Sequence, residues 1–244
     1  MLVRLEELKA TQVAEVLRSH IPVIPTGSTE QHCTLPLGTD SIIVERLVDL
    51  ACHRLSNRGV GCLILPPLRY GYSVEWSTYP GTVTLSSRTL ESLVLDILES
   101  VSRWGAERVA IVNGHGGNSG VLEAAARKAA VKTGLIVGVT DYWAHAEGVA
   151  IGHASRVEEL LLSYLSGFKP GKRDRDEGCD EGVLTGRGVK ILSFPRSSAG
   201  GAVVYEGGVG AYTGEPERLV DSIVSGLAEF LYRLWTHPKS RLSI

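Results

Sequence analysis

Residues 21–28 read IPVIPTGS, and this stretch indicates how the chain folds. The short apolar run at residues 21–25 predicts a buried strand, and the small residues after it, Thr26-Gly27-Ser28, predict that it leads into a loop. Residues 40–55 then carry apolar side chains at helical spacing. Because a buried strand followed by a helix is the repeating unit of α/β proteins, we predict this fold class.

The alternation of strand and helix continues along the chain. Further strands are predicted at residues 62–65, 109–112 and 135–140, and further helices at residues 90–104, 118–132, 156–165 and 216–235. This order predicts a mainly parallel central sheet with helices on both faces. No linker composition interrupts the pattern, so we expect one domain over residues 1–244.

Two segments show neither pattern. Residues 172–181 are polar, charged and glycine-bearing, which predicts an exposed loop. Residues 197–214 are rich in glycine and small residues, and they are long for a loop inside a compact domain. We therefore predict that they form a functional loop or contain a hairpin.

The composition argues against several classes of partner. Of the 244 residues, 43% are hydrophobic and 21% are charged, and the formal net charge of −2 provides no basic stripe for nucleic acid. No apolar run is long enough to span a bilayer, and the first residues lack a signal-peptide core. We therefore expect a cytoplasmic protein that binds neither nucleic acid nor a membrane.

The four cysteines, Cys33, Cys52, Cys62 and Cys179, form no C-x-x-C pair, which argues against a cysteine-based zinc site. In a cytosolic protein we expect them to be free thiols. A Cys52–Cys62 bridge is the alternative if the source is a hyperthermophile, because intracellular proteins of such organisms are often rich in disulfides.

The loop after the first strand carries metal-type ligands. Glu30 and His32 alternate with Gln31, so in an extended segment their side chains point the same way. Asp40 opens the next helix, where a carboxylate is also a favourable cap. Two carboxylates and an imidazole suit zinc, manganese or ferrous iron. We favour this metal site over the alternative of a capping aspartate and an ordinary loop histidine.

A second loop, Asn113-Gly114-His115-Gly116-Gly117-Asn118, follows the predicted strand at 109–112. Glycines on both sides of His115 allow its backbone to approach a ligand closely. The amides of Gly116, Gly117 and Asn118 lie at a helix N-terminus, where an anion or a developing oxyanion can bind. The alternative is a tight strand-to-helix turn without chemistry.

A third segment contains His153 and Glu158 and follows the end of the fourth strand at Asp141-Tyr142-Trp143. Both side chains could face the carboxyl edge of the sheet, where α/β proteins bind ligands. Taken from the residues alone, however, Glu158 is better explained as part of a solvated helix face.

Together these segments resemble the motifs of the creatininase (creatinine amidohydrolase) family. The resemblance is carried, in family order, by PTGSTEQH at 25–32, LPLGTD at 35–40, YPGTV at 79–83, NGHGGN at 113–118, and His153-Ala154 with Glu158. The tail GGVG at 207–210 fits more loosely. The chain is most similar to the branch with an N-G-H-G-G-N motif.

The resemblance implies a three-layer α/β/α fold and a centre of two divalent cations. Glu30 and His115 would hold one cation, His32 the other, and Asp40 both. Some members have a glutamate two residues after the second-loop histidine, but Gly117 stands there in this chain. The resemblance therefore implies that Glu158 is the remaining ligand, which reverses the assignment made from the residues alone.

The resemblance also implies roles around the substrate. His153 would act as the proton shuttle. Glu158 would be a catalytic residue as well as a metal ligand. We predict substrate contacts from the following residues: Trp76, Gly116, Gly117, Asn118 and Trp143. A homo-oligomer, with a hexamer as the common family form, is implied in the same way.

The predicted activity is hydrolysis of a non-peptide C–N bond, in a cyclic amide or a formamide of a small molecule, by a water activated at a dinuclear centre of zinc, manganese or ferrous iron. One alternative substrate is the formamide of a pyrimidine nucleotide in flavin or deazaflavin synthesis. Another is the precursor peptide of a redox cofactor. A non-catalytic binding protein is a further alternative, because Cys33-Thr34-Leu35-Pro36 replaces the usual G-P-H-L-P and Trp76 replaces a common histidine.

Overall fold

A computed structural model describes residues 1–171 and 212–238, together with two short strands between them. These strands, Ile191–Leu192 and Val203–Val204, pair antiparallel, and the second lies in the run predicted to hold a functional loop or a hairpin. The predicted loop at 172–181, the GGVG tail and Cys179 lie outside the described residues.

The central sheet has five parallel strands in the order β1-β3-β2-β4-β5. The strands are β1 (Leu2–Arg4), β2 (His20–Thr26), β3 (Gly61–Ile64), β4 (Arg108–Asn113) and β5 (Ile136–Asp141). The helices are α1 (Ala10–Val16), α2 (Thr39–Ser56), α3 (Ser87–Arg103), α4 (Ser119–Thr133), α5 (Arg156–Ser166) and α6 (Pro216–Thr236).

Helices cover both faces of this sheet. One core joins α2, α5 and α6 to side chains such as Ala110 and Val112 of β4. The other joins α3 and α4 to Val109 and Ile111 of the same strand. Successive residues of a strand point to opposite faces, so one buried apolar strand supplies both cores. The layers are therefore helix, sheet and helix, which confirms the predicted α/β class.

The strand register brings three loops to one edge of the sheet. Thr26 at the end of β2 pairs with Asn113 at the end of β4, and Asn113 pairs with Asp141 at the end of β5. Parallel strands that end at the same level release their loops side by side. The segments that carry Glu30, His115 and His153 therefore begin next to one another.

The expectation of free thiols is wrong for Cys52 and Cys62. Cys52 of α2 and Cys62 of β3 form a disulfide with their Cα atoms 5.7 Å apart, and both residues are buried in the α2 core. Because α2 packs directly on β3, the ten-residue separation is enough to bring the two side chains together. No helix in the described part of the chain has the length and apolarity that a bilayer crossing requires.

Candidate metal centre

Six acidic and imidazole side chains meet at the carboxyl edge of the sheet. They come from the loop after β2, the start of α2, the loop after β4, and the segment that leads into α5. The carboxylates of Glu30, Asp40 and Glu158 are only 1%, 3% and 4% exposed. Three carboxylates removed from water at one place require nearby positive charge. The six residues are Glu30, His32, Asp40, His115, His153 and Glu158.

Asp40 lies at the middle of this cluster. Its Oδ1 is 3.0 Å from His32 Nε2, and its Oδ2 is 3.1 Å from His115 Nδ1. The hydroxyl of Ser28 also donates to Oδ2 at 2.7 Å. Helix α2 takes Gly38 as its N-cap, so capping does not account for Asp40. Its two carboxylate oxygens instead face two different histidines.

The cluster divides into two groups of potential ligands that share Asp40. One group is Glu30, Asp40 and His115, in which Glu30 Oε1 lies 3.3 Å from His115 Nδ1. The other is His32, Asp40 and Glu158, in which His32 Nε2 lies 3.8 Å from Glu158 Oε2. Atoms that bind one cation at about 2.0–2.2 Å lie about 3.0–3.5 Å apart. Most of the observed separations fall in this range.

Hydrogen bonds on the far side of each ring set the tautomers of His32 and His115. His32 Nδ1 lies 3.0 Å from the Glu30 carbonyl oxygen, and His115 Nε2 lies 2.9 Å from that of Tyr72. A carbonyl only accepts hydrogen bonds, so those nitrogens carry the hydrogen and the opposite nitrogens can offer lone pairs to the centre. Glu30 Oε2 is buried, and no donor in the described ranges reaches it. The residues therefore fit divalent cations.

Burial and charge shift the pKa values of the carboxyl groups in opposite directions. Burial raises the pKa of Glu158 to about 8 despite the nearby His32 charge. Burial also opposes ionisation of Glu30, but the charge of His115 and the hydrogen bonds from His115 and His153 together outweigh it and lower the pKa of Glu30 to about 2. In the same way, His32 holds the pKa of Asp40 well below its usual range.

The pKa values of the histidines respond to the same charges. Burial disfavours protonated His32, but Asp40 raises its pKa to about 10. Burial likewise opposes protonation of His115, but Glu30 and Asp40 raise its pKa well above the usual value. The carboxylates thus favour positive charge where the ligand atoms converge, so a bound cation would compete with protons at this place.

Gly117 leaves the room that His115 needs. A Cβ atom at this position would overlap the Tyr72 carbonyl oxygen and lie 2.5 Å from His115 Nε2. These are the two partners of the hydrogen bond that orients His115. A glutamate at position 117 would meet the same crowding.

Replacing Gly117 with alanine should therefore weaken metal binding about 10- to 100-fold, the usual effect of disturbing a group that orients a ligand. Metal titration calorimetry measures this change. Gly120 in α4 is the matched control, because a Cβ there meets nothing within 4 Å. Gly120→Ala should bind metal like the wild type and be slightly more stable. Equal metal affinity in both variants would contradict the assignment of His115.

Asn118 connects three loops behind His115. Its side-chain nitrogen donates to the Gly27 carbonyl oxygen at 3.0 Å, and its side-chain oxygen accepts from the Tyr72 amide at 2.9 Å. Its own amide donates to the His115 carbonyl oxygen. Both ends of the side chain are occupied, so its contacts orient His115 through Tyr72. These contacts give Asn118 a positioning role, and its predicted substrate contact stays a prediction.

Asn113 supports His115 from the other side. Its side-chain oxygen accepts from the His115 amide at 3.1 Å, and its side-chain nitrogen donates to the His115 carbonyl oxygen at 2.7 Å. The same nitrogen donates to Asp141 Oδ1 at 2.7 Å. Asn113 belongs to the loop motif, but the sequence indicates no role for it, because only the strand register brings Asp141 beside it.

His153 lies at the open side of the cluster. Its Nε2 is 3.1 Å from Gln31 Oε1, and its Nδ1 is 3.3 Å from Glu30 Oε1. Its ring stacks on Trp76 with centroids 4.3 Å apart. Burial and the charge of His32 lower its pKa, so a neutral imidazole is favoured beside the two other histidines.

The other predicted substrate residues are divided between the centre and the core. Gly116, Gly117 and Asn118 form a short 3₁₀ helix directly after His115. Trp76 contacts His153, as described above. Trp143 lies in the 3₁₀ helix Tyr142–His145, packs edge to face on Tyr142 at 5.2 Å, and joins the α2 core. These are packing contacts of a partly buried side chain, and the substrate contact predicted for Trp143 stays a prediction.

A family model described as creatinine amidohydrolase matches residues 6–185. The chain belongs to the creatininase family. A mycofactocin precursor peptide peptidase from Mycolicibacterium smegmatis is 31% identical over 95% of this chain and 93% of its own length. A creatinine amidohydrolase from Pseudomonas putida is 33% identical over 40% of this chain and 38% of its own. This creatininase-family chain is accordingly a hydrolase of C–N bonds.

Solved creatininase structures share the fold. A creatininase with manganese aligns with a TM-score of 0.75 over 98% of this chain and 100% of its own, at 22% identity. A putative creatinine amidohydrolase from Bacteroides fragilis aligns with a TM-score of 0.76 over 97% of both chains, also at 22% identity. At this identity the likeness concerns the fold alone, and it confirms the predicted three-layer α/β/α architecture.

Proposed function

We propose that this creatininase-family hydrolase cleaves an amide C–N bond with two divalent cations held in the centre described above. The observation that carries the proposal is the position of Asp40, whose two oxygens face ring nitrogens of two different histidines. Each histidine also has a second carboxylate, Glu30 for His115 and Glu158 for His32. Creatininase structures with manganese and with zinc support these metals, and the donor set also suits ferrous iron.

The chain's own residues would divide the work between binding and proton transfer. Glu30 and His115 would hold one cation, His32 and Glu158 the other, and Asp40 would bind both. Bound cations of this kind lower the pKa of water and polarise an amide carbonyl. Tyr72 and the Glu30 carbonyl keep the two ligand histidines in the required tautomers.

His153 would be the residue that moves a proton. Its lowered pKa favours the neutral ring, which can accept a proton and then donate it to the leaving nitrogen. Stacking on Trp76 and the hydrogen bond to Gln31 fix the plane of the ring. The amides of Gly116 and Gly117, next to His115, are proposed to face the carbonyl oxygen of the substrate.

The substrate that we propose is a small molecule with a cyclic amide or a formamide, and a formamide of a pyrimidine nucleotide is one form of it. A peptide amide is the second candidate. The observation in its favour is the likeness to a mycofactocin precursor peptide peptidase along 95% of this chain. Both candidates require the same metal centre.

Metal analysis and a substrate panel together test the proposal. We expect two equivalents of zinc or manganese per chain, activity on at least one of a lactam, a formamide and a short peptide, and loss of that activity on chelation. Adding either metal back should restore it. His53 on the exposed side of α2 provides the control, because His53→Ala should keep both the metal and the activity.

Two results would contradict this function. Calorimetry that shows no tight zinc or manganese binding would favour the non-catalytic binding protein. Activity that survives complete metal removal would place the chemistry elsewhere in the chain. The panel itself separates the two candidate substrates, because only one class should be cleaved with a useful kcat/KM.

A further inference from the structure

Glu75 is a carboxylate beside the metal centre that the proposed ligand set does not use. It lies in the 3₁₀ helix Val74–Trp76, directly between Val74 and Trp76 and two residues after Ser73. The Ser73 hydroxyl lies 3.3 Å from His115 Nε2, and the Trp76 ring stacks on His153. The backbone on both sides of Glu75 is therefore held against residues of the centre.

One oxygen of Glu75 is buried without a hydrogen-bond partner among the described residues. No hydrogen-bond donor in residues 1–171 or 212–238 reaches Glu75 Oε2, which is closed off from solvent. Burial raises the pKa of this carboxyl, and the charges of His115 and Glu30 act on it in opposite directions, so the centre lies within its electrostatic reach. An unpaired buried acceptor destabilises a folded protein, and such groups usually have a role that compensates for this cost.

A cation of the metal centre does not account for this oxygen. Three groups of potential ligands occur in the described part of the chain, and Glu75 belongs to none of them. A carboxylate only accepts hydrogen bonds, so the missing partner is a donor. A positively charged N–H donor would also balance the charge, which makes it a stronger partner than a neutral one.

We propose that Glu75 is a specificity-determining residue, which binds an ammonium group carried by the substrate near the amide that is cleaved. This inference rests on the proposed function and narrows its substrate class to amides that carry a basic amine. Trp76 and the ring of His153 beside it would then form one wall of the space between Glu75 and the cations.

A pair of probes of nearly equal shape tests the inference. In 3-aminopropanamide an ammonium group replaces the methyl group of butanamide. The binding of both probes to zinc-loaded protein can be followed by ligand-observed NMR. We expect the wild type to prefer the amine, and Glu75→Gln to reduce the ratio of the two dissociation constants by about 10-fold or more. Contacts between the amine and a cation occur in both proteins, so they cancel from this comparison.

The exposed Glu147 provides a matched control, and Glu147→Gln should leave the ratio unchanged. A wild type without preference for the amine, or a ratio that Glu75→Gln changes by less than about twofold, overturns the inference. A Glu75→Gln protein that holds fewer than two cations overturns it as well, because Glu75 would then belong to the metal centre. Failure of the proposed function is distinguishable, since the wild type itself would then lack the cations.

Discussion

Replacing Asp40 with asparagine is expected to empty the proposed centre of both cations and to lower kcat/KM by at least about 1,000-fold. Asp40 presents Oδ1 to His32 and Oδ2 to His115. An asparagine keeps one oxygen, but its nitrogen is a donor and cannot bind a cation. One ligand group therefore loses a member, and the loss of charge weakens the other.

The measurement is metal content after gel filtration, combined with steady-state kinetics on the substrate that the panel identifies. Asp49 supplies the control, because it lies on the same helix but pairs with Arg4 at 2.8 Å, away from the ligand groups. Asp49→Asn should retain both cations. If Asp40→Asn also retained two equivalents and most of the activity, the bridging role of Asp40 would be wrong.

The strands and helices that pack on the sheet could be predicted from the sequence because their patterns are long. The predicted strand at 109–112 and helix at 118–132 correspond to β4 (Arg108–Asn113) and α4 (Ser119–Thr133). Strand β1 (Leu2–Arg4) was not predicted, since three residues are too few to show a period. It is defined by pairing with β3, which lies far away in the sequence.

The candidate ligands were found from the sequence where local order was sufficient. Glu30 and His32 stand two residues apart after a strand, and His115 stands between glycines after another. Glu158 was different, because its position in the first turn of α5 is typical of a solvated face. The structure shows it 4% exposed, with Oε2 accepting from the Ala154 amide at 2.6 Å.

The remaining features depend on contacts between distant segments. The hydrogen bonds of Asn118 join it to Gly27 and Tyr72, 91 and 46 residues away. The disulfide likewise depends on how α2 packs on β3, and composition alone does not indicate that packing. Local patterns thus predicted which loops carry the chemistry, but the tertiary contacts determine how each side chain is used.

Replacing His115 with alanine is expected to remove one of the two cations and to leave the other. His115 belongs to the group with Glu30 and Asp40, whereas His32, Asp40 and Glu158 form a group that does not include it. Titration calorimetry should therefore fall from two equivalents to one, and kcat/KM should fall by about 100-fold or more. Asp40→Asn should affect both equivalents, so the two variants together separate the shared ligand from the unshared one.

The exposed His53 provides the control for loss of an imidazole as such, and His53→Ala should bind two equivalents. If His115→Ala lost both cations, the two groups would bind cooperatively and not as separable sites. If it kept both, His115 would not be a ligand. In that case its short contacts to Glu30 and Asp40, at 3.3 and 3.1 Å, would be an ion pair of a protonated imidazole. The raised pKa of His115 makes this the strongest competing explanation of the geometry, and metal stoichiometry distinguishes it directly.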